Sequence, residues 1–211
     1  MPSHMPDKDC GLCPRLVDFR RENQRQYPDK FNGAVPAFGE LDAELLVVGL
    51  APGLKGANFT GRPFTGDYAG ELLYPSLIKA GFAKGQYDAR PDDGLILCNA
   101  RITNSVRCVP PQNKPVGQEM AACLPFLINE FKAMPNLRVI LALGGIAHKQ
   151  VIKSFDLRQA DYKFGHENQH DLGAVQLFDS YHCSRYNVNT GRLTEEMFDE
   201  VLNKITVYLG S

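Results

Sequence analysis

The chain has 211 residues, 44% of them hydrophobic, enough to bury one continuous core, and its formal net charge is −1. No run approaches the roughly 18 to 20 apolar residues of a membrane span, and residues 1–9 lack the apolar centre of a secretory signal, so a cytoplasmic protein without membrane contact is expected. Near-neutrality excludes nucleic-acid binding by bulk charge and leaves only a local basic patch to do it. Residues 1–9, opening Met1-Pro2-Ser3-His4-Met5, are set apart as a disordered tail, and a single domain is expected over residues 10–211.

In chain order, Leu45-Leu46-Val47-Val48-Gly49 is a short apolar run that empties into Ala51-Pro52-Gly53, the pattern of a buried strand followed by a loop. Residues 95–99, 139–143 and 175–178 repeat it. Helical spacing predicts helices over 70–80, 118–133, 146–154 and 194–208, the last with Thr194 as N-cap and Glu195 and Glu196 at its positive end. Strands alternating with helices predict an α/β fold: a central, mostly parallel four-stranded sheet with helices on both faces and ligands at the carboxyl ends of its strands. Function is therefore sought in the strand-exit loops 51–67, 100–115, 144–145 and 180–191.

Six cysteines in a chain without a secretory signal point to thiols or metal ligands rather than disulfides. Cys10 and Cys13 form a C-x2-C pair, and the distant Cys108 and Cys123 complete four sulfurs that suit zinc or an iron–sulfur cluster. Spacing leaves those two open. The stretch from Gly49 to Asp67 is rich in glycine and proline, a loop that brings its backbone close to something. It lacks the Gly-Lys-Ser/Thr of a P-loop, but exposed amides near a helix start also bind anions. Phe64 and Asp67 close it, an aromatic face and a carboxylate three residues apart; a core Phe and an N-cap Asp are the ordinary alternative.

Gly49-Leu50-Ala51-Pro52-Gly53, Thr60-Gly61-Arg62-Pro63-Phe64-Thr65-Gly66-Asp67, Thr103-Asn104-Ser105-Val106-Arg107-Cys108-Val109-Pro110-Pro111-Gln112-Asn113-Lys114-Pro115 and Tyr181-His182, in that order, resemble the uracil-DNA glycosylase superfamily. Leu50, where family 4 carries an acidic residue, and the Phe-Thr-Gly-Asp ending are similar to family 5, the type-b enzymes. Gly53, often Ala in family 5, and Cys183, where Pro commonly follows the motif histidine, depart from the pattern.

The resemblance implies a [4Fe-4S] cluster on Cys10, Cys13, Cys108 and Cys123, and hydrolysis of the N-glycosidic bond of uracil flipped out of DNA, with hypoxanthine, xanthine or other deaminated bases as further substrates. It implies that Asp67 stabilises the cationic sugar and His182 the departing base, that Asn104 reads the base edge and Phe64 stacks on it, and that Gly49 and Ala51 line the base site. Arg62, Lys114, Arg185, Tyr186, Asn187 and Arg192 are the expected DNA contacts. Lys55, Arg101 and Arg107 join them as loop cations that answer the objection from net charge. A monomer is expected. The rival reading is a non-catalytic nucleic-acid-binding module whose four cysteines hold a structural metal.

Overall fold

A computed structural model describes residues 3–210; Met1, Pro2 and Ser211 lie outside it, and so do those parts of the expected tail and domain. The elements in order are α1 (Pro14–Gln26), β1 (Leu45–Gly49), α2 (Ala57–Thr60), α3 (Tyr68–Lys79), β2 (Ala83–Lys84), β3 (Ile96–Leu97), β4 (Ala100–Asn104), α4 (Gly117–Ala133), β5 (Val139–Leu143), α5 (Gly145–Ser154), β6 (Gln169–Asp171), β7 (Gln176–Ser180), α6 (Arg185–Asn189) and α7 (Glu195–Leu209). The main sheet runs β4-β1-β5-β7-β6, parallel throughout except for β6, which pairs antiparallel with β7. β1 alternates its side chains between two cores. Leu45 and Val47 face the side packed by α3 and α7, and Leu46 and Val48 face the side packed by α4 and α5.

The expectation of a mostly parallel sheet covered on both faces stands, but its strand count and second strand need correction. The sheet has five strands, and residues 95–99 are not among them. Ile96–Leu97 pairs with Ala83–Lys84 in a separate antiparallel ribbon. Asn99 then turns the chain with a left-handed backbone (φ 52°), its Oδ1 accepting from the Glu44 N–H at 2.9 Å, and the chain enters the sheet at Ala100. Arg101 is buried in β4, donating to the equally buried Glu130 of α4 at 2.8 Å.

Side-chain caps fix the starts of three helices, of which α3 borders the site. Asp67 Oδ1 accepts from the Ala69 N–H at the start of α3. Glu119 reaches back from the first turn of α4 to the Val116 N–H at 2.8 Å. Thr194 accepts from Met197 N–H at 3.2 Å and Gly210, at φ 75°, ends α7 in the left-handed conformation open to glycine. Helix α1 starts at Pro14, directly after Cys13, where the missing N–H of proline costs nothing. Before it, the Lys8 carbonyl accepts from Ala34 N–H at 2.8 Å and the Lys8 ammonium lies 4.7 Å over the Phe31 ring.

Candidate active site

The carboxyl ends of β1, β4 and β7 open into one cavity of about 390 Å³. Ala51, Phe64, Asp67, Asn104 and His182 line it, from three segments far apart in the chain. Parallel pairing sets the register that makes this possible: Gly49 lies opposite Asn104 at the last rung of the sheet. A Cβ on residue 49 would come 2.4 Å from Asn104 Oδ1 and 2.6 Å from Phe64 Cζ, so only glycine lets strand, amide and ring meet. Gly49 thus shapes the site as its backing.

The loop after β1 is stiffened from within. Gly49 and Leu50 carbonyls accept from the Ser105 and Val106 N–H groups at 2.9 Å each, and Ser105 Oγ donates to the Leu50 carbonyl at 3.0 Å. Phe64 holds a left-handed backbone, φ 52°, uncommon for an aromatic residue. Tyr87 Oη donates to its carbonyl at 3.3 Å, and its ring lies 5.9 Å from that of His182. Gly53 and Gly56 crowd Asp67: a Cβ on either would fall 2.9 or 2.2 Å from Asp67 Oδ2. Burial drives the Asp67 carboxyl above the ordinary aspartate range, against the pull of the Ala69 and Gly70 amides. N-capping and a place in the cavity are thus both true of Asp67.

Asn104 is 3% exposed, and its Oδ1 has no hydrogen-bond partner. A buried, unsatisfied amide oxygen at the closed end of a cavity is an acceptor held ready for a ligand. Burial keeps His182 below the ordinary histidine range, so it enters neutral solution as an uncharged imidazole. Cys183, in the position where Pro was the pattern, is fully buried and packs into the core on the α7 side. The His182 carbonyl accepts from Asn187 Nδ2 and from Ser184 N–H, both at 2.8 Å, and these bonds hold the loop that proline would otherwise stiffen.

The expected DNA contacts divide. Arg185 and Tyr186 are exposed at the cavity side, with the Arg185 guanidinium 5.1 Å over the Tyr68 ring. Lys114 is exposed, and so is Arg192, 4.5 Å over the Tyr181 ring. Arg62 is a correction. It is 5% exposed, forked onto Asp93 at 2.7 and 2.8 Å with Nε on Thr65 Oγ1, and ringed by Phe38, Tyr74 and Tyr87, so it braces the loop with its charge already paired and its side chain buried away from phosphate. Arg101 and Arg107 are likewise buried on Glu130. Asn187 spends its side-chain amide on the His182 carbonyl.

Cys10, Cys13, Cys108 and Cys123 line a small void together with Leu12, Leu16, Val106, Arg107 and Phe126. Ala51 packs against this group while also lining the main cavity, so the two sites share a wall. Burial pushes the Cys108 thiol up to about 12, and Cys13 and Cys123 upward as well. Two guanidiniums stand beside the sulfurs. Arg20 Nη1 donates to the Cys10 carbonyl at 3.0 Å and lies 3.9 Å from Cys108 Sγ, while Arg107, 1% exposed, leaves Nε and Nη1 without partners.

Several residues at the cavity escaped sequence reasoning: Ala57, Tyr68, Asn113 and Ser184. Asn113 stood within a recognised motif, yet nothing in its type announced a lining role. A second polar cluster, His148 Nδ1 on Asp179 Oδ1 at 2.7 Å and His170 Nε2 on Asp179 Oδ2 at 3.3 Å, gave no sequence signal, because its members come from three elements.

Residues 36–206 match the family model described as the Uracil DNA glycosylase superfamily. The Type-5 uracil-DNA glycosylase of Thermus thermophilus is 45% identical over 199 residues, covering 92% of this chain and 90% of that protein. The Type-5 uracil-DNA glycosylase of Pyrobaculum aerophilum is 37% identical over 96% of this chain and 90% of its own length. A Type-4 uracil-DNA glycosylase of the same organism matches less, at 35% over 69% of this chain and 61% of its own. With most of its length matched and its strand-exit motifs gathered at one cavity, the chain belongs to the uracil-DNA glycosylase superfamily and stands with its type-5 members.

Proposed function

We propose that this protein excises uracil from DNA by flipping the nucleotide into the cavity behind β1 and β4 and hydrolysing its N-glycosidic bond, leaving an abasic site. The observation that carries this reading is the convergence of Phe64, Asp67, Asn104 and His182 on one cavity. Heterolysis puts positive charge on the sugar and negative charge on the leaving base, so a catalyst needs opposite poles in a dry site. Asp67, crowded by Gly53 and Gly56, supplies the negative pole on the sugar side and orients water. The neutral His182 imidazole donates an N–H to the base carbonyl on which charge collects. Asn104 offers its unsatisfied oxygen to the base N–H and its amide N–H to a carbonyl, and Phe64 covers the ring face, offsetting part of the unstacking cost. Lys114, Arg185, Tyr186 and Arg192 hold the duplex at the rim.

The cavity volume also admits the two-ring bases hypoxanthine and xanthine, which present the same carbonyl and N–H pattern to Asn104. The four cysteines fit a [4Fe-4S] cluster. The Cys13, Cys108 and Cys123 thiols, which burial holds protonated, become stable thiolates around a cation, and a four-thiolate cluster carries net negative charge for the Arg20 guanidinium and the unpartnered Nε and Nη1 of Arg107 to meet. When bound, such a cluster cross-links the N-terminal segment to the loop after β4 and to α4. The protein acts as a monomer in the cytoplasm, a reducing compartment that suits six cysteines outside any disulfide.

The test is incubation with oligonucleotides carrying one uracil, hypoxanthine or xanthine, followed by hot alkali. The wild type gives strand scission at uracil, and Asp67→Ala and Asn104→Ala each lower the single-turnover rate by on the order of 10²–10³. No scission by the wild type at any of the three bases overturns the enzymatic reading in favour of a binding module, while unchanged cleavage by Asp67→Ala overturns only the role given to Asp67. Absorbance near 400 nm in the purified protein distinguishes an iron–sulfur cluster from colourless zinc.

A further inference from the structure

His148, His170 and Asp179 meet from α5, β6 and β7, and the proposed chemistry uses none of them. His148 is 1% exposed and Asp179 is fully buried. His148 Nδ1 lies 2.7 Å from Asp179 Oδ1, and its Nε2 lies 2.8 Å from the Tyr162 carbonyl oxygen. A carbonyl oxygen only accepts, and so does a carboxylate. Either neutral tautomer of the ring would therefore press a nitrogen lone pair against an oxygen lone pair inside the fold. Asp179 Oδ2 accepts from the Gly165 N–H at 3.4 Å and meets His170 Nε2 at 3.3 Å, the surroundings of a carboxylate.

We infer that His148 is an imidazolium locked inside the fold, a proton-dependent clasp that fastens residues 155–168 to β7. That segment carries Tyr162 and Gly165, both held by the pair, and lays Phe164 and His166 against Tyr181 with ring centroids 6.1 and 5.0 Å away. A zinc ion between the same atoms is the other way to relieve the lone-pair contact. Distance decides against it. Two ligands about 2.1 Å from one tetrahedral zinc stand roughly 3.4 Å apart, whereas the 2.7 Å found here is the length of a charge-assisted N–H···O bond.

The charges around the ring set when the clasp opens. Burial favours the neutral imidazole and Lys149, the next residue on α5, repels the cation, but Asp179, by hydrogen bond and by charge, and the Tyr162 carbonyl outweigh them. His170 is the other titratable group at the pair. Arg158 and Asp161 of the fastened segment face each other at the surface, 3.9 Å apart, and α4 and β1 meet α5 through aliphatic side chains such as Leu46, Val48 and Leu127. His148 is thereby lifted above the ordinary histidine value of about 6.5. The clasp is fully closed below that value and is lost as pH rises through the raised one. His148 lines no part of the main cavity, so its readout is the hold on the segment.

Hydrogen exchange of the holoprotein between about pH 6 and 9, read by mass spectrometry and corrected for the intrinsic effect of pH on exchange, tests this. Peptides within residues 155–168 should lose about tenfold or more of their protection as pH rises, the worth of a hydrogen bond to a charged group, while the β1 peptide keeps its own. His148→Gln, which has no titratable ring, should show the loosened segment already at about pH 6 and no further step. Nitrogen NMR of histidine-labelled protein should find protons on both nitrogens of the His148 ring at that pH. The wild-type measurements decide the matter even where the variant fails to fold. A neutral His148 ring at about pH 6, protection of the segment that stays flat up to about pH 9, or one equivalent of zinc that His148→Gln loses would each overturn the inference.

Discussion

Asp67 and His182 are both moved from their ordinary titration ranges by the same cause, burial, and in opposite directions. In the proposed reaction the charged form of Asp67 is the working one. Its raised pKa means that the carboxylate is lost, as pH falls, above the ordinary aspartate value of about 3.9. For His182 the form the proposed reaction uses is the neutral imidazole, which its depressed pKa preserves below about 6.5. Single-turnover rates should therefore rise from acid to a plateau, with the limb displaced above the ordinary carboxylate range and no decline through pH 6 to 8. Asp67→Asn should abolish the limb along with most of the rate, whereas His182→Gln should lower the plateau and keep the limb. A rate that falls as pH rises through 6 to 8 would mean that an imidazolium does the work. These two residues were legible before the fold was known because both sit in short motifs. Arg62 was not: its partner Asp93 lies in a stretch with no pattern, and nothing in the sequence tells a buried arginine from one waiting for phosphate.

Among the elements, β4 shows where hydrophobic periodicity fails. Its sequence Ala-Arg-Ile-Thr-Asn reads as a polar loop, yet all five residues are buried. The sheet tolerates Arg101 there because Glu130 rises from α4 to meet it and is shared with Arg107 of the cysteine loop. β1, β5 and the long helices were readable because their burial follows apolar pattern alone, whereas β4 depends on an ion pair across two elements and β6 is polar throughout. The Glu130 carboxylate is then the tie between sheet, α4 and the cysteine loop. Glu130→Ala leaves two buried guanidiniums uncompensated and should cost about 3–5 kcal/mol, a fall in Tm of roughly 6–20 °C. Thermal or denaturant unfolding of the variant reads this directly. A loss under about 1 kcal/mol would show that Arg101 and Arg107 find other partners or water.

At the scale of the whole molecule, a formal charge of −1 must still be reconciled with a polyanionic substrate. Seven cations in the strand-exit segments seemed to answer this, but Arg62, Arg101 and Arg107 are neutralised inside the fold. Lys55, Lys114, Arg185 and Arg192 remain exposed on the side where the cavity opens or close to it. Each phosphate neutralised contributes about −0.9 to the slope of log K against log salt. Four contacts therefore set the slope near about −3.6, against about −6 had all seven cations reached DNA. Fluorescence anisotropy with a labelled uracil duplex and the Asp67→Ala protein, titrated across salt concentrations, measures it. A slope close to −6 would require the buried arginines to open on binding, and a flat response would remove phosphate contact altogether. An intermediate slope has a mechanistic consequence: with so few steering charges, affinity depends on what happens after contact, on the seat of the flipped base. Discrimination then comes from nucleotide capture more than from hold on the duplex.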